Sequence, residues 1–197
     1  MSQLMEIVGR QLSGDTIDRI GREIGADQAS TERAVAAALP LLLGSLARNA
    51  RQPEGAKALD AALRRDHDGS LLDNLMGGLT APGTQADGAK ILGHVFGRRE
   101  PAVRTGVGRA SGLDPQQVMR VMSMLAPIVM AALGRMRSQE DLDAGGLAGR
   151  LEREEGDMVR GDSALGGLLT GMLDRDGDGS VMDDIGGRLL EGFLRPR

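Results

Sequence analysis

Cysteine, tryptophan and tyrosine are absent from the 197 residues, and phenylalanine occurs twice. Without cysteine there is no disulfide, no thiolate nucleophile and no Cys-ligated zinc, and the redox compartment cannot be inferred from cysteine pairing. With so few aromatics the core must come from Ala, Leu, Met, Val and Ile, so strand formers are scarce and helix formers abundant. Lysine is nearly missing as well: of 24 basic residues only Lys57 and Lys90 are Lys. Positive charge in excess is also lacking. A net charge of -4 with a pI near 5.3 argues against broad attraction to nucleic acid or anionic membranes. The longest uncharged runs, 34–47 and 121–134, are fourteen residues each, short of the about 18 needed to span a bilayer, and read as core helices. The opening "MSQLMEIVGRQLSGD" has no basic stretch followed by an apolar one, so no secretory signal is expected and a cytoplasmic address follows.

What is present is an ordinary globular balance, 41% hydrophobic and 26% charged, with 30 Gly spread through it. Each Gly inside a helix costs roughly 1 kcal/mol relative to Ala. Many short helices with close packing are the natural compromise. The chain also aligns with itself. At a shift of 87, "IGREIGADQASTERAVAAALPLLLGSLAR" (20–48) lies over "VGRASGLDPQQVMRVMSMLAPIVMAALGR" (107–135) without a gap, and eight of 29 positions are identical, among them Gly25/Gly112, Asp27/Asp114, Pro40/Pro127 and Arg48/Arg135. "DHDGSLLDNL" (66–75) matches "DGDGSVMDDI" (176–185) at a shift of 110, which implies an insertion of about 23 residues in the second copy. "GAKILGHVFGRR" and "GGRLLEGFLRPR" are similar too.

These features predict an all-α protein of two tandem related halves arising by internal duplication, each with a long Pro-kinked helix and several short ones. The first half covers 1–97, with 1–14 as a lead-in; 98–106 connect it to a second half over 107–197. Asp27 and Asp114 are N-cap candidates, and "DPQQ" adds Pro115 at the first helical position and Gln117 at the third, the arrangement of a capping box. The long helices are expected to run to about Asn49 and Met136. Pro40 and Pro127 fall inside them, each removing one backbone hydrogen bond.

"GAD" or "GLDP" ahead of a long "ALP" or "LAP" helix, followed by "DHDGS", "ILGHVFG" and "LDRDGDGS", resembles the YidB-like group, a Gly- and Leu-rich bacterial family of uncharacterised proteins. The resemblance extends over nearly all of the chain after residue 15. It implies a helical, bacterial, cytoplasmic protein and brings no catalytic residues with it.

The most chemically pointed stretch is "DRDGDGSVMDD" (174–184), with five carboxylates in eleven residues. Counted from Asp174 as the first position of a calcium loop, Asp176 and Asp178 fall at the third and fifth, Gly179 at the sixth, the Ser180 carbonyl at the seventh and Val181 at the eighth. Position twelve, ordinarily a bidentate Glu, is Ile185, so Asp183 or Asp184 must complete the shell. The metal candidates are Asp174, Asp176, Asp178, Ser180, Asp183 and Asp184, and Ca2+ is the one cofactor suggested. In the first copy Arg64 stands where Asp174 does, leaving Asp66, Asp68 and Asp73, a set expected to bind weakly or not at all. An ion-free reading competes with this one: Ser180 with Asp183, and Ser70 with Asp73, have the spacing of a capping box, sufficient for a turn and a helix start.

Residues 16–35 and 103–122 resemble helix-turn-helix elements, whose second helices would offer Gln28, Ser30, Thr31 and Arg33, or Pro115, Gln116, Gln117 and Arg120, to a DNA groove. An acidic chain lacks the usual electrostatic footprint of such a regulator. His67, in the first acidic loop, reads as solvated and His94 as a helix-surface residue; neither has a partner at metal-site spacing, and no phosphate-binding Gly loop is present. The expectation is therefore a non-enzymatic structural or protein-interaction module, stabilised by Ca2+ at 174–184. It would act through a protein partner or self-association, with no nucleic acid, transmembrane segment or small-molecule substrate.

Overall fold

A computed structural model of the protein describes residues 3–79, 81 and 83–161. Within them the chain is all-helical, with no strand. The helices are α1 (Gln3–Gln11), α2 (Gly14–Ile24), α3 (Gln28–Ala50), α4 (Pro53–Asp66), α5 (Leu75–Leu79), α6 (Thr84–Phe96), α7 (Glu100–Ser111), α8 (Pro115–Gln139) and α9 (Ala144–Gly161), with single 3-10 turns at Ser70–Asn74 and Gly97–Arg99. Residues 98–106, expected to connect the halves, are themselves helical: the second 3-10 turn leads directly into α7, which buries Val103 and Val107.

Helix starts and stops follow local chemistry. Asp27 accepts the Ser30 amide at 2.8 Å, capping α3. Asp114 accepts the Gln116 and Gln117 amides while the Gln117 side chain accepts the Asp114 amide at 3.1 Å, a complete capping box opening α8. Gly25 and Gly112 close α2 and α7 at φ 70° and 79°, the left-handed conformation that glycine adopts without steric cost. α3 and α8 run continuously past Pro40 and Pro127 and extend slightly beyond the expected ends.

One apolar core takes residues from α1 through α9. At its centre α8 buries every residue from 121 to 134, where Met122, Met124, Leu125, Ile128 and Leu133 are fully enclosed. Each such side chain contributes about 1.5–3 kcal/mol by leaving water. α6 makes the most extensive contact with α8, and α7 and α9 the most extensive with α3. Small residues permit the closeness: a Cβ added to Gly88 of α6 would lie 1.8 Å from the Ser123 carbonyl oxygen of α8. Asn49 near the end of α3 donates to the Val95 carbonyl at 3.0 Å, joining it to the last turn of α6. By length and composition α8 is apolar enough to cross a membrane, with 83% of its apolar window buried inside the fold. The uncharged run stops at Arg120 and Arg135, but the helix continues through both, so the run understates its length.

Candidate functional site

The loop at 66–70, "DHDGS", lies between α4 and the first 3-10 turn and is pressed onto α8. Gly69 has φ 100°, which L side chains rarely adopt, and a Cβ there would lie 2.9 Å from the Arg135 Cβ. On the opposite side of the contact, a Cβ on Gly134 would fall 1.7 Å from the His67 carbonyl oxygen. Two backbones thus touch where α8 has no side chain. Arg135 secures them, donating to the Gly69 carbonyl at 2.9 Å and to Asp73 Oδ1 at 2.5 Å. The expected Ser70–Asp73 capping box is therefore not formed. The N-cap of the turn is Gly69, without a side-chain cap bond. Asp68, earlier in the loop, already holds the Ser70 amide at 3.0 Å, and Asp73 is drawn sideways to Arg135.

The carboxylates of this loop diverge. Asp66 pairs with Arg65 at 2.7 Å, Asp68 accepts the Ser70 amide and Asp73 meets Arg135. Arg64 turns back to Asp60, which also receives Arg137 of α8 at 2.5 Å. Hydrogen bonds from Arg65 and from the Ser70 amide and side chain hold the Asp66 and Asp68 carboxyls below the usual carboxylate range. Among the described residues no three His, Asp or Glu side chains gather as a metal ion would require. The second loop, with Asp174, Asp176, Asp178, Ser180, Asp183 and Asp184, lies outside the described residues.

His67 departs from the expectation of a solvated residue. It is half-buried and lines a cavity of about 160 Å³ with Asp66, Asp68, Thr84, Asp87 and Pro127. Burial pushes its pKa below 6.5, against smaller upward pulls from Asp66 and Asp87. The loop's docking onto α8 causes the burial. His94 is exposed on α6, as expected.

Of the residues singled out for a DNA groove, Thr31 is buried and Arg33 and Gln117 reach other helices, while Gln28, Pro115 and Gln116 are exposed. Gln28 bonds Glu32 at 2.9 Å, and Thr31 is fully buried with its hydroxyl on the Asp27 carbonyl at 2.8 Å. Arg33 donates to Ser30 Oγ at 2.9 Å and to the Ser111 carbonyl, 3.2 Å away at the end of α7. Gln117 donates to the Ile24 and Gly25 carbonyls at the end of α2, at 3.3 and 3.2 Å. Arg120 is exposed. Sequence reasoning passed over Gly134, Arg135 and Gly88. Arg135 was visible as an identity with Arg48, but nothing in the sequence marks its opposition to Asp73, 62 residues away.

A family model described as "bacterial protein of unknown function (DUF937)" matches residues 6–136. The chain belongs to this family. The YidB-like resemblance drawn from the sequence is consistent with the match. The stretch shared with the family runs from within α1 to Met136, a fully buried residue of α8, and includes the 66–70 loop together with its seat at Gly134 and Arg135. No curated protein and no solved structure matches the chain.

Proposed function

We propose that this family member is a non-catalytic structural or protein-interaction module, built from two related helical halves that brace one another. The observation that carries the reading is the use made of its polar motifs. Arg33, Gln117, Arg135 and Asp73 all bond between segments distant in sequence rather than converging on a cavity. Support for the duplication comes from the positions paired by the 87-residue shift. Asp27 and Asp114 cap the long helices, and Gly25 and Gly112 close the preceding ones. Added Cβ atoms at Gly21 and Gly108 would meet the carbonyls of Ala26 and Leu113 at 3.1 and 3.2 Å.

The paired positions also differ in a way that suggests where recognition occurs. On α8, Ser123 and Ile128 are buried and Arg135 is half-buried; their α3 counterparts are Ala36, exposed, Leu41, half-buried, and Arg48, exposed. The exposed Ala36, near the start of α3, marks the interaction surface in our reading. Light scattering of the full chain over a wide concentration range tests it. Association that reverses on dilution is the expected result. A monomer at every concentration would remove self-association and leave only a foreign partner.

Calcium at the second acidic loop belongs to the same proposal. Relative to the first loop, Asp174 replaces Arg64 and Asp184 replaces Asn74, two added carboxylates. Five acids within eleven residues repel one another, and a cation relieves that repulsion. Titration calorimetry on metal-stripped protein should give saturable binding near one Ca2+ per chain, abolished in an Asp176→Asn, Asp178→Asn variant. The absence of heat in the parent protein would reduce the loop to a turn and helix start.

A further inference from the structure

We propose that α9 is an exchangeable arm: in a dimer, α9 of a second copy takes the seat on α3 and α4 that the chain's own α9 fills in the monomer. The proposal goes beyond the reading above by adding a second surface, near Arg51, about 22 Å along α3 from Ala36. α9 packs across α3 and α4 and touches α8, the helix it follows, far less. Its contacts are specific. α9 buries Leu147, Leu151 and Met158, and its Glu155 receives Arg51 of α3 at 2.8 Å. Buried Glu154 accepts the amide of Leu4, at the start of α1, over 3.1 Å. The α9 of a second copy brings the same groups, so exchange keeps every one of these contacts.

Three features favour release of the arm. The family match ends at residue 136, so α9 lies wholly beyond the shared stretch. Five of the 18 residues of α9 are Gly, a poor helix former, and the helix depends on its seat rather than on propensity. The connection from α8 is short, residues 140–143, and holds Asp141 at φ 49°, the one non-Gly residue with positive φ among the described residues. A side chain is strained in that conformation. Extending the connection removes the strain, and short strained hinges favour exchange between copies.

Because the chain has no Cys, two single variants of the full chain report the exchange. Chains carrying Arg51→Cys are mixed at high concentration with chains carrying Glu155→Cys and treated with a short bismaleimide. Neither chain holds both thiols, so a link between positions 51 and 155, read by mass spectrometry of the digest, forms only if α9 crosses between copies. The link is expected, with a yield that rises with concentration and exceeds by about tenfold that obtained with Gln28→Cys, at the opposite end of α3, in place of Arg51→Cys. Asp141→Gly relieves the hinge in the monomer and should raise the dimer dissociation constant, measured by light scattering, about tenfold or more. Ala36→Arg should leave the link unchanged, so this surface and the one proposed above fail separately. Association without a 51–155 link above the Gln28→Cys control would overturn the inference and assign self-association to the Ala36 surface. A chain monomeric at every concentration would overturn it together with self-association itself. A dissociation constant unmoved by Asp141→Gly would overturn it too, since strain at the hinge is what drives the exchange.

Discussion

Arg33 and Ser111 join α3 to α7: the guanidinium near the start of α3 donates to the carbonyl of the last residue of α7, 3.2 Å away. Gln117 at the start of α8 does the reverse, donating to the last carbonyls of α2. Helix C-termini leave carbonyls without intrahelical partners. Here each is supplied by the N-terminal turn of a helix from the other helix pair, so the ends of α2 and α7 cannot fray without loosening α8 and α3.

Gln117 therefore has two separable jobs. Its Oε1 completes the capping box with Asp114, and its Nε2 bonds Ile24 and Gly25. Gln117→Glu keeps an acceptor for the Asp114 amide and places a carboxylate where the helix dipole favours it, but turns a donor into an acceptor facing two carbonyls. A loss of about 1–2 kcal/mol in urea unfolding is expected. Unchanged or increased stability would show that the cross-helix bond contributes nothing.

Glycine substitutions should divide by what lies beyond the missing Cβ. Gly93 in α6 has open space around it, and Gly93→Ala should stabilise by up to about 1 kcal/mol through helix propensity. Gly134→Ala carries the same propensity gain, yet its Cβ would sit 1.7 Å from the His67 carbonyl oxygen. The loop must lift off α8, exposing apolar surface, and a net loss above about 2 kcal/mol is expected. Equal effects of the two variants in chemical denaturation would contradict the docking of the loop.

Much of the helical architecture was legible because its signals are local. Asp27 and Asp114 before apolar runs, Pro115 and Gln117 in register, and Gly25 and Gly112 at the preceding helix ends each specify a boundary from a few neighbouring residues. The acidic loop was half legible. "DHDGS" marked a turn, but the partners of its carboxylates come from elsewhere: Arg135 lies 62 residues beyond Asp73. The Ser70–Asp73 spacing is that of a capping box and became a cross-helix tie, because a nearby cation outcompeted a neutral amide for Asp73. The close approach at Gly134 was equally hidden, since one glycine in an apolar run looks like a packing residue anywhere.

Asp60 joins α4 to α8. It accepts Arg64 at 3.1 Å and Arg137 at 2.5 Å, with its side chain and that of Arg137 only 17% and 15% exposed. Burial on its own would raise the Asp60 pKa; the hydrogen bonds from Arg137 and Arg64 outweigh it and the net direction is downward. Asp60→Ala leaves a largely buried guanidinium without its carboxylate and should cost about 2 kcal/mol. Asp60→Asn, which retains an acceptor, should cost about half that. Denaturant midpoints at neutral pH would reveal the order, and a harmless Asp60→Ala would show that Arg137 is satisfied by water.

The pH dependence of stability should carry the mark of His67. Its folded pKa lies below 6.5 because the loop's seat against α8 removes water from the ring, with Asp66 and Asp87 pulling less strongly upward. Between the folded value and 6.5 the unfolded chain binds the proton and the folded chain does not, so stability falls as pH drops through this window and is fully present above it. The carboxylates lowered by their hydrogen bonds, Asp27, Asp60, Asp66 and Asp68, lose their contributions only at more acidic pH, below 3.8. His67→Gln, which cannot titrate, should flatten the fall below pH 6.5 and leave the acidic limb intact. If the parent and variant curves run parallel from pH 7 to 5, the ring is solvated in solution and the loop does not sit against α8 as described.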